Sequence, residues 1–410
     1  MVTFLLGYVL SYKYRFYPST EIKNNIAVAL NHCRFTYNKL LELYHNGKIK
    51  NVYDACNHVV TLKQEHPELK TVYSKTLQRV GNHLFNNISV VRTLKNRGFN
   101  PGKLRYKSEH RFRTLEYNQS GFKLTEKLLE LSRIGTVKLI LHRPLPEGKI
   151  KSVLITKTKS GEYYAILQVE TSGIKMLQND KLQNDKAVGL DMGVRTFCYD
   201  SDGNFVDNPK FLEKSLRKIK LLQRTLSRKQ GFSHNWVKTK QKLAKLHEYV
   251  ANQRSNRNHQ VSRYYVNNYG VICVEDLDIL RMLNRQNRTG KTLRRNISDA
   301  GWGDFLSKLA YKAESAGRIL VKVNPRETSQ KCYHCGNIVK KDLSDRVHDC
   351  PYCGVSINRD FNSALNILKK GLELLSEGRK PPGLPAEPMV TGYVPKPLVL
   401  NQEAPALRPG

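Results

Sequence analysis

Four cysteines and one aspartate crowd into the stretch KCYHCGNIVKKDLSDRVHDCPYCGVSINRD, from Lys331 to Asp360. The cysteines form two CxxC pairs, Cys332/Cys335 and Cys350/Cys353, fourteen residues apart. Each CxxC turn aims two thiolates at one point. Four thiolates suit a tetrahedral Zn²⁺ and leave no open coordination position, which makes the metal structural. Gly336 and Gly354 follow the pairs, where such a knuckle needs positive φ. The alternatives are two redox CxxC motifs or free thiols. A segment of roughly 30 residues is too short to fold without a staple of this kind. His334 and His348 lie close by, but four thiolates complete the shell, so these read as surface or nucleic-acid contacts.

Asp360 is one of three acids at the edges of hydrophobic elements. Asp191 closes the run Ala187-Val188-Gly189-Leu190, and Glu275 closes Val271-Ile272-Cys273-Val274. Asp360 opens a helix whose inner face carries Ala364, Leu365 and Ile367. Buried carboxylates set close together repel or take up protons, and divalent cations remove that penalty. An oxygen-only site selects Mg²⁺ or Mn²⁺, and two such ions can position water and stabilise the leaving oxygen of a phosphodiester. Taken singly, an Asp after a strand is usually a turn residue. Asp200, Asp202, Asp276 and Asp278 compete for the role, the last two reading as caps or solvent-facing groups.

The elements that would carry these groups follow from periodicity. SYKYRFY (11–17) alternates like a half-exposed strand, and MVTFLLGYVL reads as an entering strand, not a signal peptide. Ser19 can cap a helix in which Ile22, Ile26, Leu30, Cys33, Tyr37, Leu40 and Tyr44 recur at helical spacing. A second helix is expected over about 70–96. Short strands follow between 100 and 172: FKLT, TVKLILHR, KSVLITKTK and EYYAILQVE. After the polar repeat LQNDKLQNDK, AVGLDMGVRTFCYDSDG gives strand, Gly turn and strand, as an RNase H-like sheet begins. Residues 210–263 read as basic helices, with fifteen Lys or Arg against two Glu. A helix capped by Ser298 or Asp299 is expected to run to Gly317, ahead of the strand RILVKV.

The chain has 410 residues, enough for two or three domains, with 69 Lys plus Arg against 35 Asp plus Glu. A formal charge of +34 calls for a polyanion. No apolar run reaches the roughly 18 residues of a membrane span, so nucleic acid is the expected partner rather than a lipid surface. Cys33, Cys56, Cys198 and Cys273 stand alone in apolar surroundings and read as reduced core residues, which suits the cytosol.

In order along the chain, GLDMGVRTF, VEDLDI, ISDAGWGDFLSKLAYKA, TSQKCYHCG, CPYCG and NRDFNSALNI resemble the TnpB proteins of IS200/IS605 and IS607-type insertion sequences, relatives of compact type V CRISPR effectors. YKYRFYPSTEIKNNI and RFTYNKLL resemble that family's opening; residues 50–180 match loosely. The resemblance implies an α+β multidomain protein. It would have a wedge-like β-barrel over 1–17 and 98–176 and a helical recognition insert over 18–97. A linker over 177–186 would lead to a split RuvC nuclease domain of RNase H fold over 187–325 and 357–375. A zinc ribbon would be inserted over 326–356, and 376–410 would form a disordered tail.

The resemblance also implies function: an RNA-guided DNA endonuclease that binds a structured guide RNA and cleaves double-stranded DNA beside a short flanking motif. The RuvC acids fall on Asp191, Glu275 and Asp360, the magnesium ligands, and the zinc ligands on Cys332, Cys335, Cys350 and Cys353. Arg346, in the Leu-x-x-Arg ahead of the third cysteine, would reach the scissile phosphate. NRD stands where DRD is commoner, which removes no catalytic acid. Contacts to nucleic acid are expected at Tyr14, Arg15, Tyr17, Arg34, Lys103, Arg105, Tyr106, Arg224, Arg228 and Lys238, among alternating aromatics and cations or on the basic helices. A monomer on its RNA, in a prokaryotic cytoplasm beside the nucleoid, is the expected state. The rival readings are a nuclease-silent RNA-guided repressor, an RNase H-fold DNA transposase and a plain structured-RNA-binding protein.

Overall fold

The computed structural model describes residues 8–109, 111–171, 186–284, 290–342, 345–376 and 396–397. The chain divides into two compact units, Met1–Ile174 and Lys175–Gly410. Apart from Lys186, the linker expected over 177–186 lies outside the described residues, as does nearly all of the tail expected from 376.

In the first unit, β1 (Tyr8–Phe16) alternates as its sequence implies, and Tyr14 and Phe16 are buried. Pro18 ends it. The Ser19 hydroxyl then accepts from the Ile22 amide at 3.3 Å and starts α1 (Thr20–His45), which buries Ile26, Leu30, Cys33, Tyr37 and Leu40. A helix not foreseen follows, α2 (Val52–Glu65), capped by Asn51, whose side chain accepts from the Asp54 amide at 2.9 Å. Only Ala55, Val59 and Leu62 are buried on it, too thin a stripe to stand out among polar neighbours. The helix expected from about 70 begins later, as α3 (Ser74–Asn96), because Pro67–Thr71 forms a separate 3-10 turn.

Six strands complete this unit: β2 (Thr114–Asn118), β3 (Phe122–Thr125), β4 (Leu128–Leu131), β5 (Gly135–Ile140), β6 (Lys149–Lys157) and β7 (Tyr163–Thr171). With β1 they form an antiparallel sheet in the order β2-β6-β7-β1-β5-β4-β3. Its two edge strands, β2 and β3, are separated only by Gln119–Gly121, so the sheet curls until its edges meet at one corner and is nearly closed. β2 and β4 were not anticipated. They are short, and their register depends on the strands beside them.

The second unit opens with β8 (Ala187–Met192), β9 (Thr196–Asp200) and β10 (Asn204–Asp207), an antiparallel meander. α4 (Phe211–Ser227) and α5 (His234–Asn268) carry the basic run. β11 (Val271–Glu275), α6 (Ile279–Leu283), α7 (Lys291–Ala300), α8 (Trp302–Ser315) and β12 (Ile319–Val323) follow. The chain then forms the hairpin β13 (Val347–Asp349) and β14 (Ser356–Asn358), the long helix α9 (Arg359–Ser376) and the two-residue strand β15 (Lys396–Pro397). The main sheet runs β12-β11-β8-β9-β10-β15, with β8, β11 and β12 parallel.

One expectation fails here. Ser298 and Asp299 do not cap a single helix running to Gly317; they lie near the end of α7, and Gly301 (φ 71°) breaks the chain before α8. Asp299 caps a different helix. Its buried carboxylate accepts from the Leu212 amide at the start of α4 at 3.1 Å and from Arg254 Nη2 at 3.0 Å. A cap acting across 87 residues leaves no local sequence signal.

Strand alternation sorts the sheet's two faces. Val188, Leu190 and Met192 of β8 join Ile272 and Val274 of β11 in a core with Val261, Tyr265, Trp302, Phe305 and Leu309. On the opposite face Val271, Cys273 and Val323 pack against Ile367, Leu368 and Leu372 of α9. Gly189 permits that docking: a Cβ there would fall on the Ala364 carbonyl and the Leu368 amide.

Candidate active site and cysteine cluster

Asp191 lies two residues after Gly189 and Glu275 two after Cys273, so both alternate onto the face that receives α9. The parallel register pairs Val274 with Leu190, which sets Glu275 beside Asp191 at the same end of the sheet. Asp360 arrives in the first turn of α9. The Asn358 side chain fixes that turn, accepting from the Asp360 amide at 2.8 Å and the Phe361 amide at 3.2 Å. Asn358, the departure within NRD, therefore works as a helix cap, which Asn does as well as Asp.

Asp191 lies within the field of the other two acids. Burial first, then the charges of Glu275 and Asp360, hold the Asp191 carboxyl well above the usual carboxylate range, against the opposing pull of Arg359 and a Ser363 hydrogen bond. Burial also raises Glu275, while a hydrogen bond from Thr328 and the charge of Lys370 act the other way. The Thr328 hydroxyl donates to Glu275 Oε1 at 2.6 Å. Arg359 Nε lies 3.5 Å from Asp360 Oδ1. Among the described residues, the three acids do not draw their oxygens all within 4.8 Å of one another, as the four thiols below do with their sulfurs.

The rival acids take other work. Asp200 is fully buried and closes the β9–β10 turn, accepting from the Asn204 amide at 2.7 Å; burial pushes its pKa up to about 6. Asp202 accepts from the Tyr269 hydroxyl at 2.8 Å. Asp278 caps α6 through the Arg281 amide, and exposed Asp276 pairs with Lys322 at 3.5 Å.

The four cysteine sulfurs lie within 4.8 Å of one another, with Cys332–Cys353 at 3.7 Å and Cys335–Cys350 at 3.5 Å. A tetrahedron with metal–sulfur bonds near 2.3 Å has edges of about 3.8 Å, so the set fits one ion and could hold it. Gly336 and Gly354 take φ of 77° and 73°, and their amides close each turn onto the Cys332 and Cys350 carbonyls at 2.9 Å. The Asn337 amide, the largest influence, lowers the Cys335 thiol to about 6. Burial raises Cys332, and against the pull of the Val355 amide, burial and the neighbouring thiols raise Cys353. Cys335 is thus readied as a thiolate, while Cys332 and Cys353 need the metal itself.

His348 corrects an expectation. It is fully buried on β13, not on the surface, and burial followed by the charge of Lys341 lowers its pKa to about 4. His334 is exposed.

Sequence reasoning missed the side chains that fasten this cluster to α9. Buried Asn362 accepts from the Tyr333 amide at 3.0 Å and donates to the Lys331 carbonyl at 2.8 Å. Asn366 donates to the Thr328 carbonyl at 2.9 Å and to the Lys331 carbonyl at 2.6 Å. Two asparagines four residues apart on an otherwise apolar face were the available signal, since buried amides are kept only where they bond.

The other expected contact residues are scattered. Tyr14 is turned into the core and donates to the Arg143 carbonyl at 3.1 Å, so its ring meets no outside partner. Its place in the alternation dictates this, because residues 14 and 16 share the buried face. Arg15 pairs with Glu162 at 2.6 Å, and Arg34 bonds Asn31 and the Lys107 carbonyl. Tyr17, Lys103, Arg105, Tyr106, Arg224, Arg228 and Lys238 are exposed. Arg346 is exposed, and its carbonyl accepts from the Arg359 amide at 2.8 Å.

Comparison with known proteins agrees with this architecture. The family profile described as "Cas12f1-like, TNB domain" matches residues 302–367, the IS605 OrfB profile described as "Probable transposase" matches 166–286, and a "Helix-turn-helix domain" profile matches 9–46, where the structure has one strand and one long helix. A Streptomyces pristinaespiralis protein named "Putative RNA-guided DNA endonuclease" is 30% identical over 374 residues, covering 88% of this chain and 89% of that one. The Escherichia coli K12 protein "Putative RNA-guided DNA endonuclease InsQ" is 33% identical over 242 residues, 56% of this chain and 59% of its own length, less than two thirds. A protein solved as a Cas12f1-sgRNA-target DNA complex shares the fold, with a TM-score of 0.54 at 13% identity over 88% of this chain and 98% of that one. The fold is thus that of a compact Cas12f-type protein. The chain belongs to the TnpB family encoded by IS605-type insertion sequences.

Proposed function

We propose that this chain is an RNA-guided DNA endonuclease with one metal-dependent site at Asp191, Glu275 and Asp360. The observation that carries the reading is the convergence of those acids, from three elements far apart in sequence, on one face and one end of the sheet, where burial and then the charges of Glu275 and Asp360 raise the proton affinity of Asp191. The strand order supports an RNase H-like, RuvC-type domain: an antiparallel meander beside two parallel strands, with acids on the first and fourth. On this reading the nuclease domain covers 187–325 and 357–375, with a zinc ribbon inserted at 326–356. The curled sheet (1–17, 98–176) and the helices within 18–97 serve as wedge and recognition parts.

The three carboxylates would hold two Mg²⁺ or Mn²⁺ ions, the hard cations that an oxygen-only set selects. When bound, such ions supply an activated water and charge stabilisation at the leaving oxygen. The chain's own residues do the rest. Thr328 and Lys370 hold Glu275 toward its ionised form, and Asn358 sets the helix turn that presents Asp360. Arg346 stands exposed beside Arg359, where a phosphate could be met. The four thiolates would hold Zn²⁺ and clamp residues 327–333 onto α9 through Asn362 and Asn366.

A charge of +34 suits a guide RNA and heteroduplex, whose base pairing supplies sequence choice while the protein reads shape and phosphate. The test is to purify the chain with its RNA, sequence that RNA, and assay Mg²⁺-dependent cutting of a matching duplex beside Asp191→Ala. Guide-dependent cleavage lost in the variant supports the proposal; equal cutting by both proteins would falsify it.

A further inference from the structure

The turn between α4 and α5 carries an arrangement that the proposed cleavage site does not use. Phe232 is 85% exposed, the most exposed large apolar side chain among the described residues, and its φ is 65°. A bulky ring in the left-handed region and in water is unfavourable twice over for folding alone. Glycine precedes it at 231, so a residue free of that strain was available one step away.

The ring is nonetheless held in place. Its centroid lies 5.4 Å from that of Trp236, with the planes at 37°. Lys240 Nζ sits 4.4 Å over the Trp236 ring. Lys229 Nζ crosses the turn to the Asn235 carbonyl at 3.2 Å and Thr239 Oγ1 at 2.8 Å. The Ser233 hydroxyl caps α5 through the Trp236 amide at 3.2 Å and donates to the Gln230 carbonyl at 2.8 Å. The tip is thus a braced pair of rings with one face open.

Charge selects the occupant. Between residues 214 and 247 there are eleven Lys and Arg and no acid. A second copy of this surface would be repelled, and an acidic peptide answers the cations but does not carry a flat ring beside each charge as a nucleotide strand does. A single nucleic-acid strand satisfies both features, with phosphates for the cations and a flat base for the ring.

We infer that Phe232, braced by Trp236 and flanked by Lys229 and Lys240, is a stacking platform for an unpaired base of a bound nucleic-acid strand. The inference rests on the nucleic-acid-binding part of the proposed function and not on cleavage. RNA and DNA strands share the recognised chemistry, and the experiment separates them.

The test titrates the full chain, following tryptophan fluorescence, with ten-nucleotide RNA and DNA strands and with abasic strands of equal charge. The expected result is quenching by base-bearing strands. They should bind at least about fivefold tighter than abasic ones, as a single stacked base implies. Phe232→Ala should remove that preference, Phe232→Trp should keep it, and abasic binding should be the same in all three proteins. The stronger of the RNA and DNA arms names the strand. Two results overturn the inference: a base preference unchanged in Phe232→Ala, or self-association of the wild type that Phe232→Ala abolishes. The substituted side chain is exposed, and equal melting temperatures check the fold. Guide-directed cutting is scored separately, so strand binding through Phe232 without cutting counts only against the nuclease reading.

Discussion

The Thr328 hydroxyl donates to Glu275 Oε1 at 2.6 Å while the Thr328 carbonyl accepts from Asn366 at 2.9 Å. One residue thus joins an acid at the end of β11 to the helix that carries Asp360 and to the loop leading into the cysteine cluster. The proton affinity of Glu275 is set partly by how that loop is held.

Replacing Thr328 by Val removes the donor. The Glu275 carboxyl, already raised by burial, should rise further, because the hydrogen bond favours its charged form. The acidic limb of the cleavage–pH profile should then move to higher pH. A profile unmoved in Thr328→Val would separate Glu275 from the step being measured.

Asp191 makes a stability prediction with a definite sign. Its folded-state pKa lies above its unfolded value, so between the two the native state binds more protons. Without divalent ions, stability should therefore fall as pH rises through that window and level off above the folded value. Asp191→Asn should remove this dependence, raise the melting temperature at neutral pH by about 2–4 °C per kcal/mol relieved, and abolish cleavage. Differential scanning fluorimetry in buffer without added Mg²⁺ or Mn²⁺, at pH 5.5 to 8, with Asp191→Asn run alongside, reads it out.

The cysteine cluster should bind close to one zinc per chain by elemental analysis. Cys350→Ser leaves three thiols, so zinc should be lost and the segment between 327 and 358 should become the first site of limited proteolysis. Zinc content unchanged in that variant would remove Cys350 from the ligand set.

Gly189→Ala tests the seating of α9 on β8. The added carbon would meet backbone of Ala364 and Leu368, which cannot rotate away as a side chain could. A loss of about 1–3 kcal/mol in urea unfolding is expected. Cleavage should fall more than stability does, since α9 carries Asp360.

How far the sequence could be read depended on how local each cause was. The Ser19 cap and the apolar rows of α1 and α9 are written within a few residues, and so are the two knuckle turns. Asp191 and Glu275 stood out as acids closing apolar runs, and Asp360 as an acid opening an apolar-faced helix. That Asp191 and Glu275 share a face follows from strand parity plus a parallel register, and Asp360 joins them only through the docking of α9, so no single segment contains the arrangement. Asp299 capping α4 depends on a partner distant in sequence, whereas the inward turn of Tyr14 was already written in the alternation of β1. β2 and β4 escaped notice because their neighbours, not their composition, make them strands.

The third acid comes on the last long helix among the described residues, which also fills the apolar notch over Gly189 and Cys273. During synthesis, β8 and β11 leave the ribosome well before α9 does. A chain that ended before residue 360 would carry two of the three acids and leave Val271, Cys273 and Val323 uncovered, so the act that completes the acid set is the same act that seals the sheet.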